Sequence, residues 1–397
     1  EAALTAVSLA FPIQNLMIAV AAGTGVGINA LLSRSLGEKK LDQANQIASS
    51  GVFLALASSL VFAVLGFFGS RLFFATQTTD TQIIEYGTKY LSLITIASLG
   101  LFLQITYERL LQSTGKTVFN MITQGTGAII NIILDPILIF GWFGFPAMGV
   151  TGAALATVIG QFIAAAMGVY FNDKYNTEIV VKARGFKLSL ETIKNIYKIG
   201  VPSILMQSIG SVTTFCMNNI LLMFSSTAAT VFGVYFKLQS FIFMPIFGLN
   251  NGMVPIVAYN YGAKKKKRMM DTYKLSVLIA TGIMTVGTVV FLLVPDVLFG
   301  FFNASEHMLS MGVPALRIIS VHFPVAAFCI ITGTLFQALG NAVYSMINSI
   351  CRQLVVLLPA AYLLAQLGNV NYVWWAFPIA EIASAILTII FLIKMKK

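Results

Sequence analysis

The chain has 397 residues, of which 57% are hydrophobic and only 10% are charged. Soluble domains carry about 25% charged residues, so these proportions exclude a water-soluble fold of this length. The apolar residues lie in long runs without period-two alternation. Because every backbone polar group must be satisfied inside a bilayer, such runs predict membrane-spanning helices.

Eleven apolar segments follow one another along the chain, and each is long enough to cross a bilayer. They cover residues 4–32, 46–74, 88–112, 118–143, 148–171, 199–224, 229–257, 275–301, 312–338, 343–367 and 372–393. Several exceed the length that a straight span needs, so we expect tilt or kinks. Cys216, Cys329 and Cys351 are scattered within these segments, which favours packing over a disulfide framework or a metal cluster.

The basic residues predict the orientation of the spans. Most of the 25 Lys and Arg residues lie in one set of alternate loops, whereas the opposite loops hold only Arg71, Lys89 and Arg317. By the positive-inside rule, the C-terminus is cytoplasmic and residue 1 is outside. The run Lys264–Arg268 is therefore a topology determinant with a secondary affinity for anionic lipid. Nucleic acid is not an expected partner, because there is no folded basic domain.

The chain repeats itself at an offset of 225 residues. The matching pairs include Gln14/Gln239, Gly23/Gly248, Gly27/Gly252, Lys39/Lys264, Gln112/Gln337 and Gly115/Gly340. The second copy has six spans and the first has five, so we expect a further helix before residue 1. The predicted fold is an all-α polytopic membrane protein with two parallel six-helix repeats, eleven of the twelve helices being present. The predicted organisation is an N-terminal lobe at 1–172, a basic cytoplasmic linker at 173–198 and a C-terminal lobe at 199–397.

Asp135 is the strongest candidate for chemistry. An acid at membrane depth costs roughly 2.5 kcal/mol or more, and is usually kept for ion or proton handling. Spacings of three and four residues place it on a polar helix face that should line a water-filled cavity. The stripe consists of Asn120, Gln124, Gly127, Asn131 and Asp135. Pro136 would permit a kink. The alternative is that Asp135 only bonds a neighbouring helix or caps the outer end of its span.

Other charged residues within spans are open to two interpretations. Arg352, which corresponds to Gly127 in the repeat, either binds an anionic substrate group or pairs with Glu381 or a helix end. Glu381 is a cavity candidate of unknown facing. Glu108, beside Arg109, is a candidate for a gate or a loop salt bridge, and Lys237 for a gate or a structural role.

Polar residues of the second half complete the candidate set. Gln207 and Asn218 could contact substrate from span seven, counting the expected first helix as span one. His322 could titrate near neutral pH, although a lone histidine is more often packed.

Several motifs together resemble the multidrug and toxic compound extrusion (MATE) family, nearer its DinF/MepA-like branch. They are LSRSLGEK at 32–39, NIILDPILIFG at 131–141, VTGAALAT at 150–157, KIGVP at 198–202 and AYNYGAK at 258–264. The resemblance implies a cation or proton site formed by Asn131, Asp135 and Thr157. The family's first-helix Asp has no counterpart in this sequence, which leaves that site incomplete.

The resemblance implies a secondary antiporter, not an enzyme, that exchanges H⁺ or Na⁺ for organic, often cationic, compounds across the plasma membrane. We expect no cofactor and no bound metal beyond a possible Na⁺ at Asp135, and we expect a monomer. Gly115-Lys116-Thr117 lacks the preceding glycine of a P-loop, so ATP is not the expected energy source. The alternatives are a lipid-linked oligosaccharide flippase of the same superfamily, an integral membrane enzyme, or a scaffold.

Overall fold

A computed structural model describes residues 2–182 and 187–396, and within these ranges the regular structure is entirely helical. It divides into two units, Glu1–Ile204 and Leu205–Lys397. The division falls inside one long helix. The lobe boundaries expected at residues 172 and 199 remain a prediction, and residues 183–186 of the expected linker lie outside the described residues.

The first unit contains six complete helices and the start of a seventh. They are α1 (Ala2–Gly37), α2 (Leu41–Gln77), α3 (Thr81–Ile96), α4 (Leu99–Ser113), α5 (Thr117–Phe140), α6 (Val150–Tyr175) and the first part of α7 (Leu190–Leu222). A short 3-10 turn at Trp142–Gly144 connects α5 and α6. The α5 helix runs through Pro136 without interruption, so the kink that this proline permits does not break the helix.

The second unit contains the rest of α7 and the remaining helices. They are α8 (Ser226–Gly262), α9 (Lys266–Leu293), α10 (Pro295–Gly300), α11 (Glu306–Ser320), α12 (Phe323–Ala338), α13 (Ala342–Ile350), α14 (Leu358–Ala365), α15 (Val370–Val373) and α16 (Ala376–Lys396). A π-helical segment, Cys351–Leu357, joins α13 to α14.

Nine stretches of helix in the described part of the chain are long and apolar enough to cross a membrane, and two bent helix pairs bring the number to eleven. The α3–α4 pair bends by 43° and the α11–α12 pair by 50°. The eleven predicted apolar segments each fall on one of these helices or pairs. The prediction of a polytopic helical protein is therefore confirmed.

The two units share helix boundaries at the predicted offset of 225 residues. The ends of α1 and α8, Gly37 and Gly262, correspond, as do the ends of the bent pairs at Ser113 and Ala338. The turns after α1 and α8 repeat in detail, since Lys39 and Lys264 both adopt left-handed backbone angles, with φ of 60° and 59°. The repeat is thus a repeat of structure.

Helix starts are fixed by the same chemistry in both units. Asp80 caps α3 by accepting hydrogen bonds from the backbone amides of Gln82 and Ile83. Ser305, at the corresponding position, caps α11 by accepting from the amide of Met308. Side-chain oxygens at this position satisfy amides that have no partner inside the helix.

Small residues set the distances between helices in the first unit. Gly87 of α3 lies against the ring of Phe74 in α2, and Gly27 of α1 lies against the backbone of Ile196 in α7. In membranes, helix packing depends on such close approach because burial of apolar surface supplies little driving force.

Candidate functional site

Asp135 and Asn131 lie one helical turn apart on α5, where the helix packs on α6. The Asn131 Nδ2 atom donates a hydrogen bond of 3.3 Å to Thr157 Oγ1 of α6. Thr157 Oγ1 in turn donates to the carbonyl oxygen of Ala153, at 3.0 Å. All three site residues are half-buried. The structure therefore brings together the three residues named as a coupling site.

A tyrosine of the bent pair faces this cluster. Tyr90 of α3 interacts electrostatically with Asp135, and its hydroxyl donates a hydrogen bond of 3.3 Å to Gln14 Oε1 of α1. Among the described residues, no basic side chain forms an ion pair with Asp135. A carboxylate in these surroundings can take up a proton or a small cation.

Glu108 is the centre of a second polar group in the first unit. It is almost completely buried, at 4% exposure. Its Oε1 accepts from Gln104 Nε2 at 3.0 Å and its Oε2 from Gln124 Nε2 at 2.8 Å. Glu108 was expected to act at a gate or in a salt bridge. The two amides supply its hydrogen bonds, and Arg109 donates to Gln112 instead.

The polar stripe on α5 is not uniform. Gln124 is exposed, whereas Asn120 is buried and its Oδ1 has no hydrogen-bond partner in the described structure. Gly127 is buried because it packs against the carbonyl of Gly160 in α6, which leaves no room for a side chain. The expectation that the whole stripe lines a cavity therefore remains only for Gln124, Asn131 and Asp135.

The second unit places an ion pair where the first has Gly127. Arg352 Nη1, on the π-helical segment, lies 3.2 Å from Glu381 Oε2 on α16. The Glu381 side chain is 3% exposed and that of Arg352 is 28% exposed. This pairing is one of the two alternatives considered for Arg352. It neutralises the arginine within the unit.

Residues from α8 and α12 surround Glu381. Glu381 interacts electrostatically with Tyr235 of α8, with Cys329 of α12 and with His322 at the bend before α12. The His322 ring stacks on Phe377 of α16, and its Nδ1 lies 2.5 Å from the carbonyl oxygen of Ile319. His322 is therefore packed at the helix bend.

The remaining candidates are dispersed. Gln207 is exposed and Asn218 half-buried on α7. Lys237 is exposed on α8, with its Nζ 6.0 Å from the centre of the Phe302 ring. Within the described residues, none of the three has a hydrogen bond to Asp135 or Glu381. Their roles as substrate or gate residues remain predictions.

Sequence reasoning did not name Gln14, Tyr90 or Gln104 as site residues. Gln104 could have been found from its spacing of four residues to Glu108, since such pairs meet on one helix face. Gln14 was visible as a repeat match with Gln239. Tyr90 had no sequence signal, because only the packing of α3 brings it towards α5.

The fold defines a multi-pass helical membrane protein made of two structurally repeated units, each with a polar group inside its helix packing. The chain matches the family model described as MatE over residues 1–137 and 202–363. It therefore belongs to the MatE family, as its loop and helix motifs indicate.

The chain is also similar to individual curated proteins over most of its length. It is 27% identical to Multidrug export protein MepA of Staphylococcus haemolyticus (strain JCSC1435), covering 99% of this chain and 86% of the relative. It is 26% identical to Multidrug export protein MepA of Staphylococcus aureus (strain MRSA252), covering 98% and 86%. The relatives agree with the MepA-like branch that the motifs indicate.

Solved structures show the same fold. One is described as the outward-facing conformation of a multidrug resistance MATE family transporter of the MOP superfamily, with a TM-score of 0.92, 24% identity and coverage of 98% and 86%. Another is a MOP superfamily transporter from Pyrococcus furiosus, with a TM-score of 0.90, 24% identity and the same coverage. The prediction of a 6+6 helical fold is confirmed by this likeness.

Proposed function

We propose that this protein is a secondary antiporter that exports organic, often cationic, compounds across the plasma membrane in exchange for H⁺ or Na⁺. Family membership and the MepA relatives, which are named as multidrug exporters, support the export of small organic molecules. The coupling ion binds at Asp135, with Asn131 and Thr157 beside it. The protein acts as a monomer with its C-terminus in the cytoplasm.

One observation carries the coupling site. Asp135 is half-buried in a membrane helix beside Tyr90 and the Asn131–Thr157 hydrogen bond, with no ion pair from the described basic residues. A carboxylate held there without a counter-charge favours uptake of a proton or Na⁺. Exchange follows if the ion and the organic substrate each favour a different conformation, since a ligand shifts an equilibrium only by its differential affinity.

The flippase alternative is less well supported. Export of a lipid-linked anion favours free cationic side chains along its path. Arg352 is instead paired with Glu381, at 3.2 Å. That leaves Lys237 as the exposed cation among the charged candidates within the spans.

The test uses the full chain in proteoliposomes, with efflux of ethidium followed under a pH gradient or a Na⁺ gradient imposed separately. We expect one gradient to drive efflux, and Asp135→Asn to abolish the drive. Asp42→Asn, an exposed acid in the first turn of α2, is the matched control and should transport normally. Efflux driven equally well in Asp135→Asn would overturn the coupling site, and no efflux under either gradient would overturn antiport.

A further inference from the structure

The second unit holds a carboxylate for which the coupling site in the first unit has no use. Glu381 has one oxygen paired with Arg352, while its other oxygen, Oε1, is buried without a hydrogen-bond partner in the described structure. A fully ionised carboxylate accepts several hydrogen bonds, so this group is undersatisfied in a low-dielectric environment. Such a group is poised to bind a proton once its counter-charge leaves.

The backbone around Arg352 differs from its counterpart in the first unit. Residues 126–132 of α5 are α-helical, whereas the corresponding segment, Cys351–Leu357, is π-helical. At Gly127 the α5 backbone lies directly on α6, and an arginine in that position needs more space. The π-helical turns accommodate it. Segments of this kind are rare and frequently lie at functional sites.

A π-helical turn offers a second position for the arginine. Removing the extra residue from the turn would rotate neighbouring side chains about the helix axis by about 100° per residue of register. Arg352 is held by a single N–H contact and is already 28% exposed, while Glu381 is fixed in the packed interior. The arginine is therefore the partner that can move.

We propose that Glu381 is a second proton-binding site, in the C-terminal unit, with Arg352 as its exchangeable counter-ion. A proton from water adds to Glu381 Oε1, the carboxylate becomes a neutral acid, and the unit gains one positive charge on the released guanidinium. Since an unpaired charge in the membrane interior is costly, Arg352 then turns towards its exposed side. Proton uptake and the change in the helix occur together.

The other titratable groups that face Glu381 are His322 and Cys329 from the α12 segment and Tyr235 from α8. Tyr235 and Cys329 are neutral at physiological pH. His322 is the competing site for a proton. Infrared spectroscopy separates the two, because only a carboxylic acid has a C=O stretching band.

The proposal rests on the proposed function only for its role in transport, since proton binding is measured on purified protein. Infrared difference spectra are recorded between about pH 8 and pH 5 in Asp135→Asn, which removes the first site. We expect a carboxylic-acid band to remain, to disappear in Asp135→Asn/Glu381→Gln, and to persist in Asp135→Asn/His322→Asn. The absence of the band from Asp135→Asn, or its survival when Glu381 is changed, overturns the proposal.

Variants of the arginine test the counter-ion. In Asp135→Asn/Arg352→Gln the band should already be present near pH 7, because a buried carboxylate without a counter-charge holds its proton. Arg352→Lys keeps the charge and should leave the band at acidic pH, which also controls for folding. An unchanged midpoint in a folded Arg352→Gln variant contradicts the proposal. Loss of ion-driven efflux with the band intact would instead overturn the antiporter function.

Discussion

Gly27 of α1 lies directly against the backbone carbonyl oxygen of Ile196 in α7, so closely that a Cβ atom would overlap it. We expect Gly27→Ala to lower the free energy of unfolding by about 1–3 kcal/mol, since overpacking against a backbone forces the helices apart. Thermal unfolding in detergent measures the effect.

The repeat supplies the control for this substitution. Gly252 corresponds to Gly27, but no described atom lies within 4 Å of the position of its Cβ. Gly252→Ala should be neutral or stabilising by up to about 1 kcal/mol, because alanine favours the helix. Equal destabilisation by both substitutions would contradict the role assigned to the α1–α7 contact.

Glu108 organises two amide side chains inside the first unit. We expect Glu108→Ala to destabilise the protein by about 1–3 kcal/mol, because the Nε2 groups of Gln104 and Gln124 lose their acceptor. Glu108→Gln keeps one acceptor oxygen and should cost less. Thermal unfolding ranks the variants, and a Glu108→Gln protein that is less stable than Glu108→Ala would contradict this account.

The Asn131–Thr157 hydrogen bond connects α5 to α6 beside Asp135. Thr157→Val keeps the shape of the side chain and removes the acceptor, so we expect a loss of about 1 kcal/mol of stability. Ion-driven efflux should weaken as well, because Asn131 is no longer held beside the carboxylate. Thr157→Ser retains the hydroxyl and should behave like the original protein. Equal efflux in the two variants would mean that the hydrogen bond does not serve coupling.

The fold could be predicted from the sequence because its signals are long and repeated. Hydropathy locates a span without any knowledge of its neighbours, and an offset shared by Lys39/Lys264 and Gly115/Gly340 reports equivalent turns. The bends were not predicted. The first lies at Ala97–Ser98, where no proline marks it, and it depends on how α3 and α4 pack on other helices.

The candidate site could be predicted only within single helices. Asp135 and Asn131 share a face through their spacing, and Thr157 came from the family resemblance. Arg352 and Glu381 were both identified, but 29 residues separate them, so periodicity could not decide whether they meet. The contact depends on the π-helical segment, which sequence patterns do not reveal.

The left-handed backbone of Lys264 predicts an unusual response to glycine. A non-glycine residue with φ near +59° is strained by roughly 1–2 kcal/mol. Glycine relieves that strain and costs about 0.5–1 kcal/mol in chain entropy. We therefore expect Lys264→Gly to be neutral or slightly stabilising in thermal unfolding. Lys265, with φ of −91°, is the control, and Lys265→Gly should destabilise the protein. The reverse order would show that the turn is not strained.

Glu38, in the turn after α1, should make stability depend on acidic pH. Its carboxylate pairs with Lys40 Nζ at 2.7 Å and Arg34 Nε at 2.9 Å. The hydrogen bond from Lys40 and the pairing with Arg34 lower the pKa of Glu38 below its usual 4.5, although partial burial opposes them. A lowered pKa in the folded state means that the carboxylate contributes stability above pH 4.5 and loses it as the pH falls through the folded value.

The measurement is the difference in unfolding temperature between the original protein and Glu38→Gln. We expect that difference to be constant from about pH 7 to pH 5 and to shrink as the pH falls below the usual glutamate pKa. The second unit has Ala263 at the corresponding position, so the effect belongs to the first unit alone. Ala263→Gln is the matched control and should leave the pH dependence unchanged. A difference that grows on acidification would mean that the ion pairs do not stabilise the turn.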